Sequence, residues 1–185
     1  MKIRFCLIFI MITVLTSCDS ASKEERIYTE IDAPKEIAER AYKFAELYEQ
    51  SDTEYLLGGQ DAVRSIKIDC SGLVIMCYKY ALVDTKYQLL VSDMTANDMF
   101  QKASTHIDKA DLKKGNLIFM GEPDSSSVTH IALFEKFEGG RIHFIDSTQK
   151  DTDGDGINDI DGVTHRDYSE DDTRFKAFGR MRLKY

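Results

Sequence analysis

Hydrophobic positions recur along the chain with two different periods, and the change falls near Lys114-Gly115. Over residues 34–50, Ile37, Ala41, Phe44, Ala45 and Tyr48 recur at helical spacing, with Asp32 and Pro34 marking the start. This predicts an amphipathic helix. Over 69–83 the run Leu73-Val74-Ile75-Met76-Cys77 is wholly apolar. A helix apolar on nearly every side is predicted to be central and buried. Thr95 with Asp98 resembles a capping box and predicts a short third helix through Ala103. Between the first two helices, Tyr55-Leu56-Leu57-Gly58-Gly59 reads as a turn.

After Gly115 the period shortens to two. Residues 116–120, 129–137, 141–147 and 174–184 read as strands. In the last, Phe175, Ala177, Gly179, Met181 and Leu183 alternate with largely polar neighbours. Helices first and antiparallel strands after argue for an α+β fold. An acidic loop, 149–173, is predicted between the last two strands, and no internal repeat is evident.

Composition agrees with one packed domain: 185 residues, 43% hydrophobic, 30% charged, two prolines. The net charge of −8 argues against a general nucleic-acid binder, which shows a basic face. Lys2 and Arg4 precede an apolar run of 11 residues, Phe5 to Leu15. That is short of the ~20 residues of a spanning helix and fits a signal-peptide core. Leu15-Thr16-Ser17-Cys18 resembles a bacterial lipoprotein signal; the alternative is an ordinary cleaved signal peptide with Cys18 incidental. The lipoprotein resemblance implies a signal peptide over 1–17, lipid on Cys18, and a polar tether over 18–33 before a domain spanning 34–185. It places the chain on a membrane of the bacterial cell envelope, where several acyl chains make a stable anchor. From Cys18 onward the charge is about −10, with 22 basic and 32 acidic residues.

Two cysteines then remain, Cys70 and Cys77. Seven residues apart in one helix, they are separated by about 10 Å along its axis. Disulfide geometry needs Cα atoms within about 7 Å, so they are not expected to pair. Cys70 falls in the first turn of the buried helix, where free backbone N–H groups and the helix dipole favour a thiolate. The same N–H groups suit an oxyanion formed when a thiolate attacks a carbonyl. Such a nucleophile needs a base, and Thr129-His130-Ile131-Ala132-Leu133 offers a histidine on a strand. Taken singly, each residue is more simply a core thiol and a packed histidine.

Together the segments resemble the NlpC/P60 family of cell-wall cysteine peptidases, which has a papain-like fold. The matching pieces are Tyr55 to Gly59, Asp69-Cys70-Ser71-Gly72-Leu73-Val74, Asp111 to Phe119, Thr129 to Leu133 and Phe144-Ile145-Asp146-Ser147. Their order and spacing match over about 35–148 and again at 174–183, with the cysteine and histidine blocks 60 residues apart. The resemblance implies Cys70 as nucleophile and His130 as general base. Ser71 contributes a backbone oxyanion donor, and Tyr55 lies near the cleft to help bind substrate or oxyanion. Asp69 contacts a substrate amine or caps the helix. Asp146 holds the third polar position, usually a histidine in the family. His143, three residues upstream, points to the opposite face of a strand, so only one of the two can face the cleft, and His143 is the alternative third residue. Leu57 stands where the family has an aromatic residue, and Asn116 replaces a common aspartate.

The implied reaction is hydrolysis of an amide in peptidoglycan stem peptides, of the γ-D-glutamyl-diaminopimelate type, with no cofactor required for catalysis. The alternatives are a wall-peptide binding module without catalysis, or an amidase or acyltransferase on the same fold. One segment is foreign to the family pattern. Asp151, Asp153, Asp155, Asp159 and Asp161 cluster around two glycines, resembling calcium loops of the thrombospondin type. Calcium takes about six to eight oxygens, so these carboxylates and the Ile157 carbonyl are the expected ligands of a structural Ca2+. A solvated acidic loop is the alternative.

Overall fold

The computed structural model describes residues 28–51, 53–60 and 66–185. The signal segment 1–17, the lipid-bearing Cys18 and the tether up to residue 27 lie outside the described residues. The first helix, α1 (Lys35–Glu49), turns Ile37, Ala38, Ala41, Tyr42, Ala45 and Tyr48 inward as one stripe. The second, α2 (Cys70–Ala81), buries nine residues on all sides because it lies between α1 and the sheet. The third, α3 (Ala96–Lys102), opens with the Thr95 hydroxyl accepting from the Asp98 amide at 3.1 Å.

The strands are β1 (Glu30–Asp32), β2 (Thr53–Glu54), β3 (Ile66–Lys67), β4 (Gln88–Leu89), β5 (Ser104–Ile107), β6 (Leu117–Met120), β7 (His130–Glu138), β8 (Arg141–Lys150), β9 (Ile160–Ser169) and β10 (Phe175–Lys184). An eight-stranded antiparallel sheet runs β1-β10-β6-β7-β8-β9, with β4 and β5 also pairing along β10. β2 and β3 form a separate parallel pair just ahead of α2. The pleat divides the strands between two cores. Leu117, Phe119, Ile131, Leu133 and Ile145 pack with the helices. Ile118, Met120, Ala132, Phe134, Ile142 and Phe144 pack on the other side with Leu112, Tyr168, Phe175 and Phe178. This confirms the α+β class and the helix-then-strand order.

Two expectations need correction. The tether was expected to reach residue 33, but Glu30–Asp32 is a strand on the edge of β10. Ile31 packs on the helix-side core there, and one apolar residue among polar neighbours leaves no periodic trace. Residues 149–173 were expected to be loop, yet Ile160–Ser169 is strand β9, and only the stretches on either side of it, 151–159 and 170–173, are irregular. Its ten residues pair in unbroken register with β8. As the outer strand it carries polar side chains at most positions, so cross-strand pairing rather than hydrophobic alternation holds it.

Gly115 marks the change of period and is the joint of the fold. Its amide donates to Phe134 O at 2.8 Å, and its carbonyl accepts from the Tyr78 hydroxyl at 3.0 Å. It has φ +85°, and a Cβ there would lie 2.0 Å from the Ala38 carbonyl oxygen. An L side chain costs about 1–2 kcal/mol in that conformation before any clash. We expect Gly115→Ala to destabilise the protein by about 2 kcal/mol or more. A urea unfolding midpoint equal to wild type would contradict this joint.

Candidate active site

Cys70 is the first residue of α2 and is 7% exposed. Asp69 caps that helix. One carboxylate oxygen accepts the Gly72 amide at 2.6 Å and the Ser71 hydroxyl at 3.0 Å. The other accepts the Gly58 amide at 2.8 Å. Asp69 therefore ties the glycine turn to the helix that carries the thiol. The close packing is selective for glycine: a Cβ on Gly72 would lie 2.5 Å from the Gly59 carbonyl oxygen. The Ser71 N–H belongs to the first turn, whose amides have no acceptor within the helix.

His130 opens β7, and Asp146 lies on the neighbouring β8. His130 Nε2 and Asp146 Oδ2 are 2.5 Å apart. Cys70, at the start of α2, acts on the same ring, and Asp146 leaves the imidazole's other nitrogen unused. Burial disfavours the charged ring. The Asp146 charge and hydrogen bond, aided by Cys70, outweigh it and push the pKa up to about 10. Burial likewise opposes the Asp146 charge, but His130 and then Arg166 hold its carboxyl below the usual range. The structure thus brings Cys70, His130 and Asp146 together. His143 is elsewhere, 3.9 Å from both Glu138 and Asp167 carboxylates.

The sequence reading missed Arg166. Its side chain is 9% exposed and lies on β9 with Nε 3.0 Å from Asp146 Oδ1. Nη2 also bonds Asp146 Oδ2 and lies 3.4 Å from His130 Nε2. The available signal was Asp146 itself, since a carboxylate without exposed surface demands cations. Segment 149–173 read as loop gave no strand to deliver one. His165, also on β9, bonds the Tyr42 hydroxyl at 2.8 Å and Glu49 at 2.7 Å, fastening β9 to α1.

Tyr55 sits beside the thiol. Burial first, then the nearby Cys70 and Asp69, raises its phenol pKa. Its amide donates to Asp161 Oδ1 at 2.8 Å, and Asp161 Oδ2 faces Gln149. Asp161 is thereby spent on Tyr55 and β8. Of the other expected calcium ligands, Asp151, Asp153 and Asp159 place carboxylate oxygens within 4.8 Å of one another. Asp151 accepts the Gly154 and Gly156 amides at 2.6 and 2.8 Å, and Asp155 accepts the Ile157 amide at 2.7 Å. Cys77 is a buried free thiol pushed up by burial and packed in the helix core.

A helix-borne thiol facing a histidine on an antiparallel sheet, backed by a carboxylate, defines a papain-like α+β domain. Residues 52–169 match the NlpC/P60 family, and the chain belongs to it. No curated protein matches it significantly. Solved structures agree on the fold. NlpC1 from Trichomonas vaginalis shares 22% identity at a TM-score of 0.55, over 81% of this chain and 46% of that one. A Staphylococcus aureus protein of the NLP/P60 family, described as similar to lipoprotein, shares 21% at 0.52, over 83% and 44%. NlpC2 from Trichomonas vaginalis shares 19% at 0.55, over 82% and 49%. This chain therefore spans less than half the length of each.

The raised His130 pKa links to stability. The unfolded ring releases its proton near 6.5 and the folded ring near 10, so folding takes up a proton between those values. The stabilisation is complete below pH 6.5 and is lost as pH rises through 10. We expect the urea midpoint of wild type to fall more steeply across this range than that of His130→Gln. Parallel profiles would show that the ring is not held protonated.

Proposed function

We propose that this protein is a cysteine endopeptidase that hydrolyses an amide bond in peptidoglycan stem peptides, of the γ-D-glutamyl-diaminopimelate type. The observation that carries this reading is the His130–Asp146 pair, 2.5 Å apart, with Cys70 acting on the same ring from the N-terminus of a buried helix. Cys70 Sγ attacks the carbonyl carbon, and the charge developing on its oxygen is met by the Ser71 N–H and the Tyr55 hydroxyl. The tetrahedral intermediate collapses with cleavage of the C–N bond, and His130 gives its proton to the departing amine. A water molecule, losing its proton to His130, then attacks the thioester carbonyl, and cleavage of the C–S bond releases the acid and returns free Cys70 beside the protonated His130. Asp146 fixes the ring and stabilises its charged form. Arg166 positions Asp146.

The family membership supports the wall substrate, and lipid on Cys18 would hold the enzyme at the envelope. We expect purified protein to cut muropeptides between D-glutamate and the third residue, read by mass spectrometry. Cys70→Ala should lower the rate by about 1,000-fold or more. Wall-peptide binding without any cut by wild type would point to a binding module. A transferred acyl group among the products would point to an acyltransferase.

For the turn after β8 we propose a structural calcium held by Asp151, Asp153 and Asp159, with Asp155 and the Ile157 carbonyl near at hand. Three clustered carboxylates repel one another without a cation. Millimolar calcium should raise Tm in wild type and leave the Asp151→Asn, Asp153→Asn double variant unmoved. A Tm indifferent to both calcium and chelator would reduce the turn to a solvated acidic loop.

A further inference from the structure

A cavity of about 240 Å³ opens beside His130, lined also by Thr148, Lys150, Arg166, Tyr168 and Arg174. Neither Cys70 nor Tyr55 lines it. Three cations face this space. Two have carboxylate partners: Arg166 is held by Asp146, and Arg174 is clamped by Asp172 at 2.9 and 2.6 Å. Arg174 also rests on the Tyr168 ring, 3.5 Å from its centroid. Lys150 differs. Its Nζ donates to the Tyr168 hydroxyl at 3.1 Å, and it forms no ion pair among the described residues, its charge reaching only an Asp172 already clamped by Arg174. Glu122, exposed to solvent, is the one carboxylate among the cavity's described lining residues.

The hydrogen-bond count sharpens this. The Tyr168 oxygen accepts from Lys150 and from Arg166 Nη1 at 2.6 Å. With both lone pairs taken, its own proton is free to donate. Lys150 keeps two further N–H donors, and the Thr148 hydroxyl lies on the same wall. The cavity is rich in donors and positive charge and poor in acceptors. A carboxylate supplies the missing acceptors, and hydrogen bonds between ionised groups are the strong ones.

We propose that this cavity is a subsite for a free carboxylate on the leaving half of the substrate. The inference rests on the hydrolase reading for its direction: His130 protonates the departing amine, so the group next to that amine falls at the His130 wall. The volume suits a single amino-acid residue rather than a long chain. The specificity that follows is for substrates whose leaving residue ends in a carboxylate rather than a carboxamide.

The test compares γ-D-glutamyl-lysine with its carboxamide, by hydrolysis with wild type and by NMR titration of the inert Cys70→Ala protein. The carboxylate peptide should bind and show a KM at least about tenfold more favourable than the amide. Lys150→Met should erase that preference by weakening the carboxylate peptide alone, without lowering kcat, and Lys150→Arg should keep it. Equal treatment of the two peptides by wild type would overturn the subsite. So would a Lys150→Met defect shared by both. If neither peptide is cut but Cys70→Ala still prefers the carboxylate, the hydrolase reading fails and the subsite stands.

Discussion

Asp146 has no exposed surface, yet it carries a charge in the middle of a sheet. A carboxylate in that position is costly unless cations and hydrogen bonds meet both of its oxygens. Here His130 takes one and Arg166 reaches both. Removing a single partner from such a group typically costs about 3–5 kcal/mol, because the remaining charge is stranded. The register of three strands is therefore tied to one side chain. β7 must bring His130 beside β8, and β9 must pair with β8 so that Arg166 reaches the same carboxylate. The consequence for chemistry is direct: the same contacts that make Asp146 tolerable keep His130 protonated and oriented.

The thiol is brought to this pair by a second set of constraints at the start of α2. The Ser147 hydroxyl, one residue beyond Asp146, donates to the Ile68 carbonyl at 2.5 Å. Asp69 then binds the first turn of the helix and the glycine turn together. These bonds set where Cys70 sits relative to β8, whereas the apolar body of α2 sets only how deeply the helix lies. Side chains around a reacting group need such fixed supports, because small displacements are expensive in rate.

β9 gathers several of these functions in ten residues. Arg166 faces Asp146, His165 faces Tyr42 and Glu49 on α1, and Asp161 holds the Tyr55 amide. Alternation along the strand separates the first two, sending one side chain to each face of the sheet. Tyr168, two residues past Arg166, continues the same face and carries the wall of the cationic cavity. The acidic turn that precedes β9 is exposed. Its aspartates bond mainly to the turn's own amides.

The chain by itself determined the three helices, strands β6, β7, β8 and β10, and the thiol, imidazole and carboxylate blocks. These are local properties: a 3.6- or two-residue period, an N-cap, a glycine turn. That Asp146 and His143 point to opposite faces likewise follows from the pleat alone. Tertiary structure decided the rest. β1 and β9 exist because β10 and β8 offer backbone groups to pair with, and their mainly polar sequences carry no periodic record of it. Arg166 became part of the site only once β9 was placed, since its role depends on a carboxylate 20 residues away in the chain. Asp161 passed from the acidic cluster to Tyr55 for the same reason: a hydrogen bond is set by distance in space, which sequence spacing does not supply.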